Sequence, residues 1–456
     1  MTIKKINMPE NVSLILKMLN NNGCSAYIVG GCVRDSIMKR EPHDWDICTS
    51  AKPGDIIETF KDYKTITTGI EHGTVTIVID DERYEVTTYR VDGEYSDNRR
   101  PDNVEFTDDI AKDLSRRDFT MNAIAYNKDG FVDPFNGIKD IKKKIIRCVG
   151  NPEDRFNEDG LRILRAVRFA AQLDFFPEEK TYSAIMNCVD LLDNISKERI
   201  QSELCKILEC KYCGEYMLDI FDKVVFKIIP EAEEMFEFGL NNRRYHRDLW
   251  NHILDCMNYF VCPMGEESHD DIILRLSVLL HDIGKPRCHT INDSIDVSVV
   301  SAKIAYRILK ELKFSNEIVG RVTQLISYSY VELNEDKPSI KHLLNSIGEE
   351  QLRRLIILNK SDLITGQGLL KKEKHLVSDI TSAERVLNKI VANNECYNLK
   401  MLAVNGDDLI ERGVPEGKAV GDILNILLDN VIEENIPNER NTLLQAADEI
   451  ARIYNN

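Results

Sequence analysis

The sequence predicts an α+β protein, with a mixed α/β head of about 150 residues and an all-helical remainder. Three observations carry this reading. The chain of 456 residues exceeds one ordinary core. Short runs rich in β-branched and aromatic residues are confined to its first part. After residue 150 alternation gives way to apolar positions recurring at three and four, which is helical spacing.

In order, residues 11–22 read as an amphipathic helix, and Ala26-Tyr27-Ile28-Val29 as a strand ending at Gly30-Gly31. A helix is expected next, with Arg34 in its first turn. Asp44-Trp45-Asp46-Ile47-Cys48 reads as a second strand, with 74–79 (TVTIVI) and 83–89 (RYEVTTY) as two more. The polar, proline-broken stretch 99–103 (RRPDN) is a loop. Residues 159–168 are predicted helical, and the spacing from Leu402 to Asp448 is helical too.

Composition narrows the function classes. Hydrophobic content of 43% and charged content of 30% fit a globular chain. No apolar run reaches the ~18–20 residues needed to span a bilayer. The start, MTIKKINMPENVSLILKMLN, lacks the pattern of a secretory signal. Twelve scattered cysteines in a chain this long suggest free thiols in a reducing cytoplasm. Cys210 and Cys213 make a CxxC with no second pair, which does not point to zinc. Residues 413–418 (GVPEGK) lack the spacing of a phosphate loop. A net charge of −17 argues against generic nucleic-acid binding, but Lys139 to Arg168 carries nine Lys/Arg against five Asp/Glu.

Two stretches hold candidate chemistry. In GGCVRDSIMKREPHDWDICT (30–49), Asp44 and Asp46 stand two apart, so on a strand both face one side. Carboxylates that close repel unless a cation lies between them, and an oxygen-rich site suits Mg²⁺. Glu85 in the neighbouring β pattern is a candidate third carboxylate. Such a site supports two-metal phosphoryl chemistry. A DxD pair alone also fits a solvated acidic turn. The glycines Gly30 and Gly31 shift the balance, because they let the backbone approach a phosphate that Arg34 could reach.

The second stretch is EDGLRILRAVR (158–168). Arg162, Arg165 and Arg168 fall on one face of a predicted helix, shared with Asp159 and opposite an apolar stripe. Cytosine and adenine both present an amino donor beside a ring-nitrogen acceptor. A carboxylate next to an arginine offers the complementary pair, whereas uracil and guanine set a carbonyl against the carboxylate. Asp159 with Arg162 suits this task.

The pattern GGCVRD, HDWDICTSAKP, TGIEHGT, YEVTTYR, DNRRPDNVEF, DLSRRDFTMNAIAY, DPFNGIKDI, EDGLRILRAVRFAAQL and KERIQSEL resembles the bacterial and eukaryotic class (class II) of tRNA nucleotidyltransferases. These belong to the polymerase-β-like superfamily, shared with bacterial poly(A) polymerases. The resemblance is continuous over residues 24–210 and weaker beyond. It implies a polymerase-β-like head followed by an all-α neck, body and tail. The implied activity is template-independent, Mg²⁺-dependent transfer of CMP and AMP from CTP and ATP to the 3′ end of tRNA, with release of pyrophosphate. It implies that Gly31, Arg34, Arg116, Arg165 and Arg168 contact the nucleotide, that Asp159 and Arg162 read the base, and that Asp44 and Asp46 bind Mg²⁺, with Glu85 as the third carboxylate. The Tyr95–Pro101 motif disfavours a CC-adding specialist. An A-adding specialist and a poly(A) polymerase remain as alternatives.

Farther along, His252, His281-Asp282 and Asp362 follow the order of an HD domain, whose residues bind a divalent metal for phosphohydrolysis. Residues 294–298 and 327–330 lack the further histidines of active relatives. A degenerate HD-like domain that carries tRNA is therefore expected, with metal-dependent phosphohydrolysis as the alternative. The expected division is a head at 1–148, a neck at 149–235, an HD-like domain at 236–370 and a tail at 371–456 that grips the tRNA elbow.

Overall fold

The computed structural model describes residues 5–93, 104–214, 220–239, 248–259, 272–291, 296–365 and 373–454. The predicted loop at 99–103 and the 95–101 motif fall outside them, as do Ser294 and Ile295. The chain forms two compact units, Met1–Pro230 and Glu231–Asn456.

The first unit opens with α1 (Glu10–Asn21), which buries Val12, Ile15, Leu16 and Leu19 as the amphipathic pattern demands. Then follow β1 (Ala26–Val29), α2 (Gly31–Ile37), β2 (Ile47–Thr49), α3 (Pro53–Thr59), β3 (Lys64–Ile66), β4 (Thr74–Ile79) and β5 (Glu82–Thr88). A ribbon of β6 (Arg90–Asp92) and β7 (Val104–Phe106) leads to α4 (Ile110–Ser115), β8 (Ala125–Asn127), β9 (Gly130–Val132) and α5 (Gly137–Lys143). Seven strands form one mixed sheet in the order β3-β4-β5-β2-β1-β8-β9. β2 runs parallel to β5, and the other neighbours are antiparallel.

Strand alternation decides which groups reach the surface. In β4 Val75, Ile77 and Ile79 are buried, and in β5 Tyr84, Val86 and Thr88 are buried, leaving Glu85 exposed opposite Thr76. The β4–β5 turn is Asp80-Asp81, with φ of 51° and 63°. Aspartate tolerates this left-handed region better than most residues, which suits a two-residue hairpin.

One predicted strand begins later than its sequence suggests. β2 starts at Ile47, and Asp44, Trp45 and Asp46 form its lead-in. The reason lies in its partner. β1 pairs with β2 only as far as Ile28↔Ile47, and Val29 N–H then bonds Asp46 O at 3.0 Å. At Gly30 the backbone turns away with φ 80°, so the residues before Asp46 have no ladder to join.

The rest of this unit is helical apart from one short strand pair. β10 (Ile145–Ile146) is followed by α6 (Pro152–Glu158), α7 (Leu161–Leu173), β11 (Phe176–Pro177), α8 (Glu179–Asn187), α9 (Lys197–Leu208) and α10 (Asp222–Ile228). β10 and β11 pair in parallel, Ile145↔Phe176 and Ile146↔Pro177. α7 buries Leu161, Ile163, Leu164, Ala166, Val167 and Phe169.

The second unit is all-helical among its described residues. Its helices are α11 (Leu249–Tyr259), α12 (Ile272–Leu280), α13 (Lys285–Ile291), α14 (Val297–Glu311), α15 (Asn316–Ser327), α16 (Lys337–Ile347), α17 (Glu349–Thr365), α18 (Glu373–Ala392), α19 (Gly406–Glu411), α20 (Lys418–Ile432) and α21 (Arg440–Tyr454). Near its end Leu409, Ile423, Leu427, Ile432 and Leu443 close a core of their own. None of the described helices is long and apolar enough to cross a membrane.

Candidate active site

The turn after β1 shapes one wall of the site. Gly30 adopts φ 80°, and a Cβ there would lie 3.1 Å from Arg117 Nη1. The conformational demand therefore rests on Gly30. Gly31 is the first residue of α2, and its Cβ would meet only ordinary contact distance, 3.8 Å from Arg34 Nη2. Arg34 is buried, with Nε and Nη2 on the Asp35 carboxylate at 2.9 and 3.0 Å and Nη1 on Asn122 Oδ1 at 2.8 Å.

A cavity of about 580 Å³ opens beside this turn, lined by Gly31, Arg34, Asp44, Asp46, Asp159 and Arg162 among others. Arg116, Arg165, Arg168 and Arg199 also face it. The structure thus gathers every predicted nucleotide contact on one cavity. Asp44 and Asp46 also line a second cavity of about 860 Å³, together with His43, Trp45, Arg83, Tyr84 and Glu85. The two aspartates stand where the cavities meet, and Glu85 belongs to the second alone.

The electrostatics suit a cation between the aspartates. Protein packed around Asp46 pushes its carboxyl above the usual range, Arg117 pulls it back, and Asp44 adds to the rise. A divalent ion would relieve that repulsion, and oxygen donors fit Mg²⁺. Burial pushes the Cys32 thiol, with Asp46 nearby, up to about 12, so it stays protonated. All eleven described cysteines are free.

Behind the cavity lies a dense arginine network. Asp118, almost wholly buried, accepts from Arg165 Nε and Nη2 at 2.8 and 2.6 Å and from Asn122 at 3.1 Å. Burial would raise its carboxyl, but Arg165, Asn122 and Arg162 outweigh it and hold the group at about 2. Arg168 pairs with Glu203 at 2.8 Å. The Phe169 ring lies under the guanidinium groups of Arg34, Arg165 and Arg168, at 5.2, 5.4 and 4.4 Å from its centroid. Arg116 bonds Asp113 at 2.7 and 3.1 Å, and the Nε of Arg117 is buried without a hydrogen-bond partner.

Helix continuity between Asp159 and Arg162 is the second expectation to need correction. The chain breaks between α6 and α7, with Asp159 extended at φ −148°. Gly160 packs against Leu191, whose carbonyl oxygen would be 3.0 Å from a Cβ there, so the chain turns at that point. Arg162 pairs with Glu158 at 2.7 Å and also bonds the carbonyls of Arg155 and Arg116, at 3.2 and 3.0 Å. Asp159 is gripped by Arg199, Nη1 to Oδ1 at 3.1 Å and Nη2 to Oδ2 at 2.8 Å. Arg117, Asp118, Phe169 and Arg199 are site residues that the sequence reading passed over. Arg117 and Asp118 stand in the quoted RRD, and Arg199 in KERIQSEL.

In the second unit His252, His281, Asp282 and Asp362 present ligand atoms all within 4.8 Å of one another. This is the one such group of three or more among the described residues; the carboxylates of the first unit do not form another. His252 Nε2 lies 2.8 Å from Asp362 Oδ1. His281 is fixed through Nδ1 to Val278 O at 2.9 Å, while its buried Nε2 has no hydrogen-bond partner. Asp282 is held by Lys285 at 2.5 Å and by the Tyr330 hydroxyl at 2.6 Å. An orphaned imidazole nitrogen facing two carboxylates fits a divalent metal.

Comparison with known proteins places these features in a family. Residues 26–147 match the poly A polymerase head domain, 174–236 the RNA- and SrmB-binding site of polymerase A, and 295–447 the second domain of tRNA nucleotidyltransferases. The CCA-adding enzyme of Ligilactobacillus salivarius is 33% identical over 445 residues, 96% of this chain and 95% of its own. That of Lactobacillus delbrueckii subsp. bulgaricus is 51% identical over 194 residues, 42% of this chain and 48% of its own. The crystal structure of the Bacillus stearothermophilus CCA-adding enzyme in complex with CTP has a TM-score of 0.69 at 28% identity, over 98% of this chain and 99% of that one. The Thermotoga maritima CCA-adding enzyme complexed with tRNA shares the fold, with a TM-score of 0.62 at 20% identity, covering 99% of this chain and all of that one. At 33% identity over 96% of its length, with the same overall fold, the chain belongs to the CCA-adding enzyme family of tRNA nucleotidyltransferases.

Proposed function

We propose that this enzyme adds the CCA 3′ end to tRNA without a nucleic-acid template, taking CMP from CTP and AMP from ATP and releasing pyrophosphate. The observation that carries this reading is one cavity whose walls combine a carboxylate pair with a carboxylate and an arginine suited to an amino-bearing base. Family membership supports the reaction, and the acidic surface requires that anionic substrates be met locally.

Arg34, Arg165 and Arg168, with the backbone at Gly30 and Gly31, hold the triphosphate; Arg116 assists. Asp44 and Asp46 would hold Mg²⁺, which when bound supplies charge neutralisation for the attacking and leaving oxygens. The tRNA 3′-hydroxyl approaches these aspartates from the second cavity, where Glu85 stands as a third carboxylate. Asp159 accepts from the base amino group and Arg162 donates to the adjacent ring nitrogen. The tRNA itself is carried by the helical part, in a neck at 149–235, an HD-like domain at 236–370 and a tail at 371–456 on the elbow. The working place is the cytoplasm.

The test is product sequencing. A tRNA lacking its last three nucleotides is given CTP alone, ATP alone, then both, with Mg²⁺. The expected products are CC, no extension and CCA. A-addition confined to a tRNA already ending in CC would identify an A-adding specialist, and a long A tail a poly(A) polymerase.

A second reading concerns the second unit. The partnerless Nε2 of His281 favours metal binding at His252, His281, Asp282 and Asp362. Metal analysis of the full chain is expected to find an ion that His281→Ala loses. Hydrolysis of a 2′,3′-cyclic nucleotide by the parent protein but not by this variant would add phosphohydrolysis. Its absence leaves the domain a carrier.

A further inference from the structure

The base-reading groups meet with a difficulty of their own chemistry. Asp159 and Arg162 are three residues apart and opposite in charge, and they face one cavity. Left alone, they would pair with each other, and each would mask what the other shows to a base.

The structure prevents that with two other pairings. Glu158 takes Arg162 Nη1 at 2.7 Å, and Arg199 takes both oxygens of Asp159. The residual hydrogen-bonding capacity can then be counted. Asp159 Oδ1 accepts from Arg199 Nη1 and from Leu161 N–H, both at 3.1 Å. A carboxylate oxygen has two lone pairs, so Oδ1 is full. Oδ2 accepts only from Arg199 Nη2 at 2.8 Å and keeps one acceptor direction. Arg162 spends Nη1 on Glu158 and the Arg155 carbonyl and one Nη2 proton on the Arg116 carbonyl. Its Nε–H and one Nη2–H remain. One acceptor beside free donors is the complement of cytosine and of adenine.

We propose that Arg199 is a specificity-determining positioning residue: by forking onto Asp159 it keeps that carboxylate away from Arg162 and leaves one acceptor, Oδ2, for the amino group of the incoming base. This deepens the assignment of Asp159 as base reader and rests on it. Arg199 acts from α9, about 40 residues downstream, by holding the group that touches the nucleotide.

The test uses the full-length enzyme, Mg²⁺ and tRNA lacking its last three nucleotides, with single-nucleotide kcat/KM measured for CTP and UTP. Arg199→Gln is expected to lower the CTP/UTP ratio about 10- to 100-fold, the worth of one misplaced hydrogen-bonding group. Arg199→Lys keeps the charge but loses the fork, and is expected to lose about tenfold. It also covers the case in which the Gln variant does not fold. Asp159→Ala is expected to collapse the ratio, and adding Arg199→Gln to it should change nothing further, because Arg199 then has no carboxylate to hold. If Asp159→Ala collapses the ratio but both Arg199 variants keep it within about twofold of the parent, this proposal falls and the reading of Asp159 stands. If Asp159→Ala also keeps the ratio, the base-reader assignment itself fails. If the losses multiply in the double variant, Arg199 contacts the nucleotide on its own account and the positioning role is wrong.

Discussion

Asp118 is the buried charge on which the arginine wall depends. It stays ionised because Arg165 and Asn122 bond it, and its carboxyl sits at about 2 against an ordinary 3.8. The sign follows from the lowered value. The contribution to stability is fully present above about pH 4 and fades as pH falls towards 2. Its size is about 2 kcal/mol. Asp118→Asn should therefore lower the urea midpoint at pH 7, with the difference from the parent shrinking between pH 4 and 2. It should also raise KM for CTP, since Arg165 loses its anchor. An unchanged midpoint at pH 7 would contradict this account. Individual residues were only partly legible in the sequence. Asp44, Asp46 and the three arginines of α7 announce themselves by spacing. The partner of Arg162 does not, because Glu158 and Asp159 lie at i−4 and i−3 and both satisfy helical geometry. Arg199 was hidden for a different reason: its pairing spans 40 residues and no period connects them.

At the scale of elements, strands β4 and β5 were readable because their alternation matches the burial of one sheet face, and β1 because a short apolar run ends at a glycine pair. Two boundaries were not. β2 starts late because its partner ends at a turn, and α7 starts late because Gly160 packs on another segment; neither cause is local in sequence. The turn also gives a prediction that separates neighbouring glycines. Gly30→Ala forces a side chain into φ 80° and towards Arg117 Nη1, and should cost about 1–3 kcal/mol. Gly31→Ala meets only ordinary contacts and should cost much less. Thermal unfolding of the two variants checks this, and equal shifts would place the demand elsewhere.

At the scale of the whole molecule, residues 1–230 make one compact unit although their composition changes near residue 150. The strand pair β10–β11 crosses that change, as do the Arg165–Asp118 pairing and the bond from Arg162 to the Arg116 carbonyl. A fragment of residues 1–230 is expected to unfold in one cooperative urea transition, and residues 1–148 alone to show none. A sharp transition for the shorter fragment would refute this.

The two-residue pair of β10 with β11 has a consequence for how such enzymes can exchange parts. A recombination event near residue 148 would join this sheet to a foreign α7 across a mismatched seam. One near residue 230 would pass all the walls of the arginine-lined cavity on as a single inherited block. Ancestral swaps of the helical second unit in this lineage should therefore leave their joints near the later boundary.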